Sequence, residues 1–181
     1  MESKTTKTAK KDTVKASSDA AENLREFLID GIKDLYWAET HLAKALVKME
    51  KNVTSPKLQE AIATHKTETD EQITRLEKVF EVLGEKAKAV KCEAMDGLIK
   101  EGEEIMKETE PGAVRDAAII AAAQKVEHYE IASYGTMATY CKHLGEKEAM
   151  KLLQETLAEE KNCDVLLTKL AVSEINLEAA E

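Results

Sequence analysis

Proline and glycine are scarce: two prolines and seven glycines in 181 residues cannot supply the frequent tight turns of a sandwich or barrel, which excludes an all-β chain. Long apolar runs are missing too. No stretch approaches the ~20 consecutive apolar residues of a membrane span, and the first residues carry no apolar signal region, so neither membrane insertion nor export is expected. The three cysteines, Cys92, Cys141 and Cys163, are far apart, odd in number and in no C-x-x-C spacing. Neither a disulfide framework nor a zinc knuckle is encoded, and a reducing cytoplasm is the expected compartment.

What is present is a chain with 43% apolar residues, enough for one sizeable core and one domain. The net charge of −9 is uneven. Residues 1–20 hold Lys4, Lys7, Lys10, Lys11 and Lys15 against Glu2, Asp12 and Asp19, a local charge of +2, which leaves −11 on the rest. An acidic body repels phosphate backbones, so no nucleic acid is expected on it. With seven Ser/Thr and only Val14 among the large aliphatics, residues 1–18 bury too little to order themselves and are expected to form a flexible basic tail; residues 19–176 form the domain.

From Asp19-Ala20-Ala21-Glu22, a D-x-x-E helix start, the pattern is helical almost throughout. Leu24, Leu28, Gly31, Leu35, Glu39, Leu42, Leu46 and Met49 mark one face of a helix over about 20–51. Ser55-Pro56 opens a second helix, about 56–83, whose stripe runs Leu58, Ala61 or Ile62, His65, Glu68, Gln72, Leu76, Val79 and Leu83 before the stop at Gly84. A third long helix spans about 113–143 with Ala117, Ile120, Gln124, Glu127, Ile131, Tyr134, Ala138 and Cys141 inward, and a fourth about 146–172 with Ala149, Leu152, Leu153, Thr156, Glu160, Cys163, Leu167 and Leu170. The short links 52–55 and 144–145 allow only antiparallel neighbours. Residues 84–112 are long enough to return the chain along the bundle and carry a shorter amphipathic helix with Cys92, Met95, Leu98, Ile99, Ile105 and Met106 on one side. The expected fold is an all-α antiparallel four-helix bundle with a long crossover bearing a fifth short helix.

Each long helix has a glutamate on its core stripe: Glu39, Glu68, Glu127 and Glu160. Counted from the connecting turns, Glu39 and Glu68 each lie 12 residues in, while Glu127 and Glu160 lie 16 and 14 in, so all four are expected near mid-bundle. Inward carboxylates need protons, cationic partners or a metal, and the stripes contain no lysine or arginine. Glu71, Glu130, Asp164 and His65 lie one turn from these positions and are candidate secondary ligands, His65 alternatively orienting a carboxylate. His41 and His143 read as ordinary surface or satisfied residues, and His128 points about 100° away from Glu127. Tyr36 and Tyr134 are placed near the site as aromatic core residues, and Cys163 as a small apolar filler.

The segments Asp34-Leu35-Tyr36-Trp37-Ala38-Glu39, His65-Lys66-Thr67-Glu68-Thr69 with Gln72 and Arg75-Leu76-Glu77, Lys125-Val126-Glu127-His128-Tyr129-Glu130 with Tyr134-Gly135, Glu155-Thr156-Leu157-Ala158-Glu159-Glu160-Lys161 and Lys91-Cys92-Glu93-Ala94-Met95 resemble the YciF/YciE-like bacterial stress proteins of the ferritin-like superfamily. The resemblance covers about residues 20–173. It implies a ferritin-like bundle, commonly dimeric, with a two-metal carboxylate centre at Glu39, Glu68, Glu127 and Glu160. The wider di-iron pattern contains two E-x-x-H pairs, and this chain contains none. There is no four-cysteine rubredoxin-like module, so a complete rubrerythrin is excluded.

Two iron or manganese ions and no organic cofactor are therefore expected, in a homodimer that acts on oxygen or peroxide during stress. A non-enzymatic bundle serving an assembly, or iron storage in a hollow shell, are the alternatives.

Overall fold

The computed structural model describes residues 14–18 and 20–181. Residues 14–18 are exposed and irregular; the rest of the expected tail, and Asp19 of the expected D-x-x-E start, lie outside the described residues. Helix α1 (Leu24–Glu50) starts later than the sequence suggests. Asn23 Oδ1 accepts from the Glu26 N–H at 3.0 Å, while the Glu26 carboxylate accepts from the Glu22 N–H at 2.7 Å and from Asn23 Nδ2 at 2.9 Å. Two successive acid-capped starts compete here, and the one nearer the first buried residue, Leu28, is used.

Helix α2 (Pro56–Val82) has Pro56 in its first turn and Ser55 as its cap. Helix α3 (Glu93–Glu108) lies in the crossover, α4 spans Ala113–Leu144 and α5 spans Lys147–Leu170. The chain continues through a π-helical turn, Ala171–Ile175, into the short α6 (Asn176–Glu178). Gly84 and Gly145, at φ 73° and 81°, stop α2 and α4 in the left-handed conformation that costs other residues more. No strand and no helix long and apolar enough to cross a membrane occurs among the described residues.

The long helices form a square in which α1 packs on α2 and α4, and α5 packs on the same two. Tyr36 bonds to Glu77, Asp34 to Tyr129, Arg75 to Glu159 and Gln124 to Asp164, while Lys57 near the other end of α2 pairs with Glu174. Along every side of the square, then, neighbours run antiparallel, and α2 and α4 are parallel across the diagonal. The crossover helix lies against α4 and α1. Its apolar side is half-buried on the bundle through Leu98, Ile99, Ile105 and Met106.

The core is divided. One apolar cluster gathers the C-terminal half of α1, the N-terminal halves of α2 and α4, the end of α5 and the crossover, around Leu42, Leu46, Leu58, Ile119 and Leu167. The other gathers the opposite halves around Leu28, Ile32, Leu76, Phe80, Met137 and Leu153. Burial of such clusters is the main stabilising term at roughly 25 cal/mol per Å² of apolar surface. Between them lies a layer of buried polar side chains: Glu39, His65, Thr69, Gln72, Glu127, Glu130, Thr156 and Glu160.

Candidate metal centre

Three elements supply the carboxylates of this layer. Helix α1 contributes Glu39, α4 contributes Glu127 and Glu130, and α5 contributes Glu160, each with 0% of its surface exposed. Two glutamates three residues apart on α4 are both covered because α4 is packed by α1, α3 and α5, which widens its buried arc beyond a single stripe. Helix α2 contributes His65, 4% exposed. Its Nδ1 lies 3.3 Å from Glu127 Oε1 and its Nε2 3.7 Å from Glu160 Oε2. One donor atom each from His65, Glu127, Glu130 and Glu160 falls within 4.8 Å of the other three. Glu39 lies beside Glu130, and its Oε1 accepts from the Tyr134 hydroxyl at 2.6 Å.

The layer lacks donors. Both oxygens of Glu127, Glu130 and Glu160, Oε2 of Glu39 and Nε2 of His65 are buried without a donor or acceptor matched to them. Among the described residues, no lysine or arginine pairs with any of these carboxylates. The nearest cation, Arg75, is engaged elsewhere: its guanidinium makes a two-pronged bond to Glu159 at 2.7 and 2.8 Å and donates to Thr156 Oγ1 at 2.8 Å. Gln72 Nε2 donates to the same Glu159 carboxylate at 3.1 Å, closing the α2–α5 side of the layer with a nearly neutral network.

Charge in such a place is expensive. Burial first, and then the charges of neighbouring carboxylates, raises the proton affinity of Glu127, Glu130 and Glu160 well above the ordinary carboxylate range. Glu39 is raised by burial as well, although the hydrogen bond from Tyr134 pulls it partly back. Burial lowers His65 to about 4, which keeps the imidazole neutral and its nitrogen lone pair available to a metal at neutral pH. Without a cation the layer holds protons; a divalent ion would replace them, using the unmatched oxygens and nitrogen as ligands. The donor set fits a carboxylate-held metal pair.

Of the residues that the sequence marks, Glu39, Glu127, Glu130, Glu160 and His65 are brought together. Glu68, Glu71 and Asp164 are not. At about 100° per residue, Glu68 sits about 60° to one side of His65, and the inward place on α2 goes to Thr69, whose hydroxyl bonds to the His65 carbonyl at 2.9 Å. Glu68 is half-buried beside Glu71 and Glu159, and Glu71 is exposed. Asp164 accepts from Gln124 at 3.0 Å and faces the exposed His128 at 3.4 Å. Tyr36 also lies away from the layer, donating to Glu77 at 2.8 Å and meeting Phe80 edge-on. His41 stacks on Trp37, and His143 is exposed.

Cys163 lies at the edge of the layer. Its thiol is buried against Glu127, and its proton affinity is pushed up by burial and by the charges of Glu127 and Glu160. Cys163, His65 and Glu127 form a second set whose donor atoms lie within 4.8 Å of one another. The available signal was its place three residues after Glu160, one turn along the same face.

Several known proteins share this arrangement of helices. Protein YciF of Escherichia coli strain K12 is 48% identical over 157 residues, covering 86% of this chain and 95% of that protein. The crystal structure of this E. coli protein, described as a stress protein, matches with a TM-score of 0.83 over 86% of this chain and 99% of that one. YcfI of Rhodopseudomonas palustris, described as a proposed structural protein, matches with a TM-score of 0.82 at 41% identity, over 84% of this chain and 98% of that one. A Xanthomonas campestris pv. campestris protein, 20% identical with a TM-score of 0.71, shares the fold. Residues 23–180 match the family described as Domain of unknown function (DUF892), and the chain belongs to that family of YciF-like proteins.

Proposed function

We propose that this chain is a carboxylate-held di-metal protein, with iron or manganese, that acts on oxygen or peroxide in a bacterial stress response. The observation that carries this reading is the concentration of unmatched buried oxygens on Glu127, Glu130 and Glu160, at the one level where His65 brings a neutral nitrogen. Oxygen-rich donor sets suit hard cations such as manganese and iron. The stress role rests on the description of the E. coli relative.

A bound redox metal pair would supply electrons to oxygen or peroxide. The chain's own residues do the rest. Glu39, Glu127, Glu130 and Glu160 would hold the ions and release their protons on binding, His65 would give a nitrogen ligand, and Tyr134 orients the Glu39 carboxylate. The two apolar clusters on either side keep water from the layer. A dimer is the assembly proposed.

The description of the R. palustris protein favours a second reading, a bundle with a purely structural role. Anaerobic loading with Fe(II) or Mn(II), followed by desalting and elemental analysis, separates the two. About two ions per chain are expected from the comparison with carboxylate bundles, together with faster loss of added peroxide or oxygen than with the metal-free protein. Less than about half an ion per chain across iron, manganese and zinc would contradict the two-metal pattern and leave the structural reading.

A further inference from the structure

The three cysteines are used differently. Cys92 is occupied: its sulfur caps α3 by accepting from the Met95 N–H at 3.3 Å and lies 3.1 Å from the Tyr129 hydroxyl. Cys141 is buried in the apolar cluster at the far end of α4. Cys163 faces the polar layer, 8% exposed, and belongs with His65 and Glu127 to a set whose donor atoms all lie within 4.8 Å of one another.

Within that set, His65 Nε2 and both Glu127 oxygens are buried and unmatched, so the sulfur points into a place where nitrogen and oxygen donors also lack partners. A tetrahedral ion with sulfur at ~2.3 Å and nitrogen or oxygen at ~2.0–2.2 Å would set its ligand atoms roughly 3.4–3.6 Å apart. The observed donor atoms, all within 4.8 Å of one another, must draw closer on binding.

We propose that Cys163 is a thiolate ligand to one ion of the pair, shared with His65 and Glu127. This rests on the metal-binding reading above and makes the centre asymmetric. One position combines nitrogen, oxygen and sulfur, while the other, on the side of Glu39 and Glu130, is carboxylate-only. The thiol loses its proton to solvent on binding, with no change of oxidation state. Sulfur favours Fe(II), Co(II) and Zn(II) at its position, whereas the carboxylate side accepts Mn(II) equally well. Affinity ranking alone cannot test this, because Co(II) and Zn(II) bind more tightly than Mn(II) at almost any such site.

Cobalt reports sulfur directly. Chelator-treated full-length protein titrated anaerobically with Co(II) is expected to develop a near-ultraviolet sulfur-to-cobalt charge-transfer band that saturates with one thiolate per chain. Cys163→Ser should abolish the band and weaken Co(II) binding by about tenfold or more, while Mn(II) binding changes far less. Cys92→Ser and Cys141→Ala should keep the band. Circular dichroism establishes that each variant is folded, and the wild-type spectrum tests the proposal even if a variant is not. Co(II) bound without the band, or a band that survives Cys163→Ser, overturns thiolate ligation and leaves the metal centre standing. No Co(II) bound by the wild type overturns both.

Discussion

Asp116 and the mid-bundle glutamates are buried to nearly the same degree, yet the fold treats them in opposite ways. Asp116, 2% exposed near the start of α4, accepts from the Thr54 N–H at 2.9 Å, the Thr54 hydroxyl at 2.7 Å and the Ser55 N–H at 2.7 Å. These donors come from the link that starts α2, so a single carboxylate ties the α1–α2 turn to α4. Glu127, Glu130 and Glu160 have no such donors. A buried carboxylate that serves architecture is surrounded by N–H and O–H groups supplied by the chain itself. A group of them left without donors, beside a neutral histidine, is arranged for something the chain does not supply.

The contrast is sharpened most by Glu127→Gln, because Glu127 belongs to both donor sets. Metal affinity is expected to fall at least about 100-fold, removing roughly 2.7 kcal/mol of the stability that metal confers. The metal-free variant should be more stable than the metal-free wild type near neutral pH, since an amide is neutral without taking up a proton on folding and can donate to Glu160. Paired thermal melts with chelator and with Mn(II) read both effects. Asp116→Ala should do the reverse, costing about 2 kcal/mol through lost charge-assisted hydrogen bonds, by the same amount with and without metal. A loss that metal repairs would break the distinction between the two kinds of carboxylate.

The pH dependence follows from the same layer. In the metal-free fold, Glu39, Glu127, Glu130 and Glu160 hold protons above the ordinary value of 4.5. Their contribution to stability is full below that value and falls as pH rises through the folded-state values. His65 has the opposite sign, being lowered from 6.5 to about 4: its contribution is present above 6.5 and is lost as pH falls toward 4. It therefore offsets one carboxyl between 4.5 and 6.5 and none above. Denaturant melts of metal-free protein should show stability falling as pH rises above 6.5 by about 1.4 kcal/mol per pH unit for each proton that the folded layer still holds and the unfolded chain has released, and saturating metal should remove the slope. Flat metal-free stability would mean that the layer is not held protonated. The smallest effect belongs to Glu68→Gln, expected to change stability by less than about 0.5 kcal/mol and metal affinity little, because Glu68 faces Glu71 and Glu159 outside the layer.

Helix number and the antiparallel pairing across the short links were legible because a 3.6-residue stripe and short links leave few solutions, and residues 84–112 are long enough to return the chain along the bundle. The site was legible in part. Glu39, Glu127 and Glu160 stand on stripes whose phase is fixed by large apolar residues above and below, such as Leu35 and Leu42 around Glu39. On α2 the residues around the site are small or polar, and an i+4 step from His65 to Thr69 satisfies the stripe as well as an i+3 step to Glu68. Only packing against α1 and α5 decides between them. Glu130 was underrated because one stripe cannot represent a helix packed by three others. The nearness of Cys163 to His65 and Glu127 was not legible, because it is a property of three helices together. The later start of α1 turned on the same kind of tie, with Glu22 and Glu26 each able to close a capping motif.

Anomalous diffraction from crystals loaded anaerobically with Mn(II) or Fe(II) tests the central claim most directly. Strong peaks are expected within the buried layer, bounded by Glu39, His65, Glu127, Glu130 and Glu160, with Glu68 and Asp164 outside their coordination. Peaks confined to the outer carboxylates Glu68, Glu71 and Glu159, or an empty layer in a fully loaded crystal, would contradict it.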